Sequence, residues 1–395
     1  PKPSYTIDFS KTHFKQRFTA DAMYFPSFVV NLTGARFDGI SEICGAHFRG
    51  KLQGPSVAFV GGFFARKAHF DMGVDFCRAK FSSIADFTDT CFGASASFIQ
   101  VLFGGDALFV ASEFHSSSRF SESEVEKDAD FRSTIFNAGA SFERTSFHDV
   151  ASFAGGKFHA ASNKPKPVTF SHSIFERPTS FRQALFRDGY PDFSGAVLHD
   201  KTSFTARMEP TSDEIAEDGT LKGRTFWPRK TKQDPVRARE SCATIRHVLT
   251  QQGLPEEAHF FFRREMRFAG MASAGRSFTE RLPYLLFGWL SDFGYSIQRP
   301  LIGLLGLWFL GMAVLWMVFS FPGAASVLTQ SDLGTAAALS FSNLFPLFGF
   351  GRVFLGDVLA ALPRGAQVLC GLQTVFSLPL LFFLGLGLRQ RFRLR

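Results

Sequence analysis

A ladder of phenylalanines through the first half of the chain rules out most of the ways it could fold. From Phe59 the rungs are Phe64, Phe70, Phe76, Phe81, Phe87, Phe92, Phe98, Phe103, Phe109, Phe114 and Phe120. After Val125 they continue as Phe131, Phe136, Phe142, Phe147, Phe153 and Phe158. After the first steps the intervals alternate five and six, giving a period of eleven. A small residue stands two positions before most rungs: Ala68, Ala79, Ala85, Ala96, Ala107, Ser112, Ser118, Ala129, Ala140, Ala151 and Gly156. Neither the 3.6-residue period of a helix nor the alternation of an ordinary strand produces this spacing. A fixed self-similar period marks a solenoid, in which each short unit buries its apolar residue only by stacking on its neighbours. An ordinary globular core explains 52 Phe beside five Tyr and four Trp no better, because it imposes no period.

Two five-plus-six pairs make 22 residues, and Phe87, Phe109, Phe131, Phe153 and Phe175 stand 22 apart, as do Phe92, Phe114, Phe136 and Phe158. Four units per turn follow, each 22-residue series forming one column of rings, with the small residues letting opposite walls approach. This small-x-Phe-x-x pattern resembles the pentapeptide-repeat proteins in their Phe-centred form. The resemblance implies a right-handed quadrilateral β-helix over residues 1–206. Within it, Met23–Val30 breaks phase and reads as a worn first coil or an N-terminal cap. Asn163–Pro167, with Lys-Pro-Lys-Pro, reads as an outward loop.

Periodicity ends after residue 206. Residues 207–233 are polar and broken by Pro210, Gly219, Gly223 and Pro228, a linker. Residues 234–298 read as a helical hairpin docked near the solenoid end, followed by an amphipathic, aromatic interfacial helix over Ser277–Arg299. The second hairpin helix opens on Pro255, with Glu256 and Glu257 complementing its dipole. Residues 299–395 form a membrane domain: Leu301–Phe321 and Ala366–Leu388 are uncharged runs long enough to cross a bilayer.

Charge orients these spans. Residues 1–206 carry 22 Lys and Arg against 21 Asp and Glu, which leaves 21 against 14 for the remainder. Arg276, Arg281 and Arg299 precede the first span and four arginines close the chain, whereas the loop 322–365 holds only Arg352 and Arg364. Both termini are expected in the cytoplasm. Five cysteines without a CxxC pair, and no secretory pattern at the start, fit a reducing compartment.

Between the spans, a short helical stretch followed by Gly349-Phe350-Gly351 resembles the pore loop of two-span potassium channels, with Ser340, Ser342 and Asn343 as the polar residues to line a pore. The sequence departs from that pattern: Phe345, Pro346, Leu347 and Phe348 replace the threonines, and Arg352 stands where an Asp usually follows. The alternative is a re-entrant-like or interfacial loop that only anchors the protein. Two spans cannot enclose a channel alone, so a pore requires a homo-oligomer, most simply a tetramer.

Phe261-Phe-Arg-Arg-Glu-Met266, the Asp292–Pro300 box, two spans and an Arg-rich end together resemble bacterial pentapeptide-repeat membrane proteins. That resemblance covers nearly the whole chain and implies a bacterial inner-membrane location without supplying an activity. No P-loop, GxGxxG, HExxH or GxSxG occurs, and eight of ten histidines lie in the repeats, where they often flank rungs. No enzyme activity, metal or cofactor is expected. A near-neutral repeat region argues against both nucleic-acid binding and acidic DNA mimicry, and leaves a cytoplasmic protein as the partner the solenoid would take.

Overall fold

The computed structural model describes residues 5–159, 168–206, 226–228, 231, 233–273, 278–320, 333–346 and 353–393. The chain divides into a unit over Pro1–Ala269 and a unit over Gly270–Arg395.

In the first unit, strands of two or three residues run from Thr6–Asp8 to Ser203–Phe204 and join into four parallel sheets of seven, eight, nine and eight strands. Each strand pairs with the one a full turn away, so Phe59 faces Phe81 and Phe81 faces Phe103. The result is a four-sheet β-solenoid of about nine turns. The period-two alternation inside each short strand explains the spacing of small residue and ring. Ala79 and Phe81 both point inward and are buried, while Lys80 between them is exposed. Ala85 and Phe87 are likewise buried one side further on, where Asp86 between them is covered too and pairs with Arg66.

The alternation of five and six reflects two kinds of corner. At the five-residue corner the Phe76 carbonyl accepts from Ala79 N at 2.9 Å and Arg78 has φ 59°, a type II turn. Arg78, Asp89, Gln100, Ala111, Glu122, Ser133 and Arg144 all take this left-handed conformation, eleven residues apart. Each costs about 1 kcal/mol where it is not glycine. Their side chains ladder along the edge: Arg78 Nε donates to Gln100 Oε1 at 2.9 Å, and Gln100 Nε2 donates to Glu122 Oε2 at 2.9 Å. Buried hydroxyls at several small positions satisfy carbonyls of the neighbouring turn, as Thr90 does for Ala65 and Thr134 for Phe109, both at 2.7 Å.

One expectation about register is corrected and another is given its cause. The Met23–Val30 break is a single extra residue in the first turn. Thr6 pairs with Val29, Phe14 with Phe37 and Phe25 with Phe48, so the first turn simply holds 23 residues. Phe175 does not continue the Phe87 column. Rings of Phe87, Phe109, Phe131 and Phe153 stack at 4.8, 4.9 and 5.0 Å, but the next ring is Phe181 at 5.1 Å, while Phe175 stacks on Phe147 at 4.8 Å. The turn containing Asn163–Pro167 is 28 residues long, and its extra length moves every later ring one wall on. Asn163–Pro167 itself lies outside the described residues. The Phe92, Phe114, Phe136, Phe158 column stands and continues to Phe186 at 4.8 Å.

Across that long turn, His148 bridges Glu124 and Glu176, each at 2.9 Å. Partial burial pulls its pKa down, but the two carboxylates outweigh burial and leave it above the ordinary value. Its contribution to stability is therefore full below about pH 6.5 and fades as pH rises through the folded-state value. Wild-type protein should lose more thermal stability than His148→Gln between pH 5.5 and 8.5. Equal losses in the two proteins would remove this bridge as a pH-dependent element.

The solenoid's last turn is completed from within the stretch read as a linker. Trp227 stacks on Phe186 at 4.9 Å, extending the fourth column, and its indole N–H donates to Thr205 O at 2.8 Å. Helices α1 (Pro235–Gln251) and α2 (Pro255–Ala272) follow. Asp234 caps α1 through Val236 N at 3.2 Å, with Pro235 preorganised in the first turn. Ile245, Val248, Leu249 and Phe261 join the solenoid core, Phe261 edge-on to Trp227 at 4.8 Å. Arg264 Nε donates to the Tyr190 hydroxyl at 2.7 Å, so α1 and α2 cover this end of the column. Burial raises the Cys242 thiol pKa well above its ordinary value and keeps it neutral and inert.

The second unit contains α3 (Phe278–Ser291), α4 (Gln298–Ser320), α5 (Leu333–Leu344), α6 (Gly356–Ala361) and α7 (Arg364–Arg393). Two of these, α4 and α7, are long and apolar enough to cross a membrane, and only 11% and 22% of their apolar windows are buried. Asp292, Phe293 and Gly294, with φ of 48°, 58° and 83°, make the left-handed turn from α3 to α4. Phe293 packs inward there against Phe287 at 5.5 Å.

Candidate functional site

Helix α5 lies against both α4 and α7, and its polar residues decide how. Ser340 is fully buried: its Oγ donates to Trp308 O on α4 at 2.8 Å and accepts from Gln373 Nε2 on α7 at 2.7 Å. The same Gln373 amide group donates to the carbonyls of Leu307 and Ser340, both at 3.2 Å. Gln373 Oε1 accepts from Asn343 Nδ2 at 3.1 Å. Thr374 Oγ1 donates to Asn343 O at 3.2 Å, and the Trp308 indole N–H donates to Ala337 O at 3.1 Å. Seven hydrogen bonds to carbonyl, amide and hydroxyl groups thus tie three helices through one glutamine and its neighbours. Glycine is required opposite them: a Cβ on Gly311 would lie 2.4 Å from Gln373 Nε2 and 2.5 Å from Ser340 Oγ.

Above and below this cluster the packing is apolar. Leu315, Phe319, Ala336, Leu339 and Ala366 form one core, and Leu304, Leu344 and Leu380 another. Among the described residues the hydrogen-bonded groups of the cluster are amides, hydroxyls, an indole and backbone carbonyls, with no carboxylate, histidine, lysine or arginine. The cluster can hold α5 in a defined register and present carbonyl and amide dipoles in an apolar setting.

Of the residues the sequence singles out, Ser340 and Asn343 meet in this cluster. Ser342 is buried too, but its hydroxyl turns back to Leu339 O at 2.8 Å on its own helix. Gly349, Phe350 and Gly351 lie outside the described residues. Sequence reasoning missed Gln373 and Gly311. The available signal for Gln373 was its place as an amide well inside an uncharged run, where a polar side chain needs a partner on a neighbouring helix.

The fold and cluster together define a class: a parallel four-sheet β-solenoid with phenylalanine columns, followed in the same chain by an apolar helical unit locked by a neutral polar cluster. The regular phenylalanine spacing is consistent with a pentapeptide-repeat fold. No protein-family model, curated protein or solved structure gives a significant match to this chain.

Proposed function

We propose that this chain is a non-enzymatic, membrane-anchored scaffold of the bacterial inner membrane. It presents a rigid solenoid, right-handed and four-sided as in pentapeptide-repeat proteins, to a cytoplasmic protein partner. The observation that carries this reading is the apolar surface left open along α4 and α7. A soluble fold could not leave two such helices mostly uncovered without aggregating, whereas lipid satisfies them. The Arg-rich segments before α4 and after the second span support cytoplasmic termini. Full-length protein should stay with the membrane pellet through alkaline carbonate washing; release into the supernatant would sink the anchor.

A second reading, a channel-like homo-oligomer with a re-entrant loop, is favoured by one observation: a short helix carrying Ser340 and Asn343 lies against both apolar helices. In this reading the Gln373 cluster fixes the short helix and a lumen forms between copies. Proteoliposomes should then pass ions, and Asn343→Ala or Gly351→Val should alter the flux. Absence of flux from an oligomeric preparation leaves the scaffold reading in place.

A further inference from the structure

Helix α3 has two apolar faces. Tyr284, Phe287 and Ser291 turn toward the rest of the helical unit, with Phe287 stacked on Phe383 of α7 at 5.3 Å. Phe278, Leu282, Leu285, Leu286 and Trp289 follow helical spacing on the other side, and Phe278 and Trp289 are 68% and 75% exposed. An aromatic residue at each end of such a stripe is costly to leave in water and suits the boundary between headgroups and acyl chains.

Charge beside the stripe specifies which lipids. Arg281 on α3, Arg299 in the first turn of α4 and Arg389 near the end of α7 are all exposed. The ends of these helices meet: Gln390 lies beside Gly294 of the α3–α4 turn, and Gly387 beside Ile297. The nearby acids are Glu280 and Asp292, and Asp292 is buried in the turn. Arg299 also fixes the α3 end by donating from Nη1 to Gly288 O at 3.0 Å. The end of the stripe is thus held next to Arg299, where α4 begins and α7 ends.

From this juxtaposition we infer that the exposed face of α3, with Arg281, Arg299 and Arg389, is a binding surface for anionic phospholipid headgroups. The inference rests on the membrane reading above and deepens it from an anchor in any bilayer to one that selects anionic lipid. Near a bilayer surface each arginine adds about 1 kcal/mol of attraction to anionic lipid, about a fivefold enrichment at low salt.

The test uses the full-length chain in vesicles of phosphatidylcholine containing equal small fractions of brominated phosphatidylglycerol or brominated phosphatidylcholine. The contribution of Trp289 to tryptophan quenching is the difference between wild type and Trp289→Phe. Brominated phosphatidylglycerol should quench that component at least about twofold more than brominated phosphatidylcholine. Arg281→Gln combined with Arg389→Gln, which leaves the Arg299 bond intact, should bring the ratio close to one, as should molar salt. Equal quenching of the wild type by the two lipids overturns the inference. So does loss of Trp289 quenching while Trp308 and Trp316 of α4 stay quenched, and that result leaves the membrane reading standing. If Trp308 and Trp316 escape quenching as well, the membrane reading falls and the inference with it.

Discussion

Replacing Phe109 by Ala should destabilise the solenoid by about 3–5 kcal/mol. The ring is fully buried, stacked between Phe87 at 4.8 Å and Phe131 at 4.9 Å, and met edge-on by Phe98 at 5.4 Å and Phe120 at 5.3 Å. Truncation removes stacking contacts above and below at once, and the walls cannot collapse onto the gap because backbone pairing fixes the distance between turns at about 4.8 Å. In a unit of this size the loss lowers the thermal midpoint by about 10 °C. Phe64 serves as the control. It lies one position beyond the inward-facing Phe63, is only half-buried, and has Arg66 over its ring at 5.4 Å. Phe64→Ala should cost less than about 1 kcal/mol. If the two substitutions shift the midpoint equally, columns of rings are not what holds the turns together.

That contrast also shows what could be read from residue order. Every rung meets the same surroundings, so the demand for an inward ring and an inward small residue repeats in the sequence, and the period, the four walls and the interior all follow. Phe64 stands in the ladder as a rung, and this is corrected: it points outward, because Phe63 has taken the inward place usually held by a small residue. Register was legible only while the turn length stayed constant. The 28-residue turn reassigns Phe175 from one column to the next, and spacing alone carries no record of how much of an insertion leaves the ladder. Trp227 was hidden for a similar reason: it returns to the solenoid after a stretch without periodicity, and only the vacancy above Phe186 calls for it. In the helical unit, apolar length was visible, whereas the meeting of Ser340, Asn343 and Gln373 depends on which faces of three helices turn toward one another.

The same cluster sets the other large expected effect. Gly311→Leu should dismantle the packing of α5 between α4 and α7. A Cβ alone intrudes to 2.4 Å from Gln373 Nε2, and the remaining leucine atoms need space that the Ser340 hydroxyl occupies. Gln373 is a flexible side chain and could swing away, but doing so abandons its bonds to Leu307 O, Ser340 O, Ser340 Oγ and Asn343 Nδ2. Interhelical hydrogen bonds of this kind are worth about 0.6 kcal/mol each in a bilayer, and an amide left unpaired in an apolar setting costs about 1–3 kcal/mol more. The total is about 3–5 kcal/mol. Loss of it should show as faster backbone amide exchange over Leu333–Leu344 in detergent, with the solenoid's exchange unchanged. Gln373→Leu separates the two causes, because it removes the bonds without adding bulk at Gly311. If Gln373→Leu leaves exchange over α5 as slow as in the wild type while Gly311→Leu speeds it, the short helix is held by shape alone. If both speed it, the polar cluster is what keeps α5 in register.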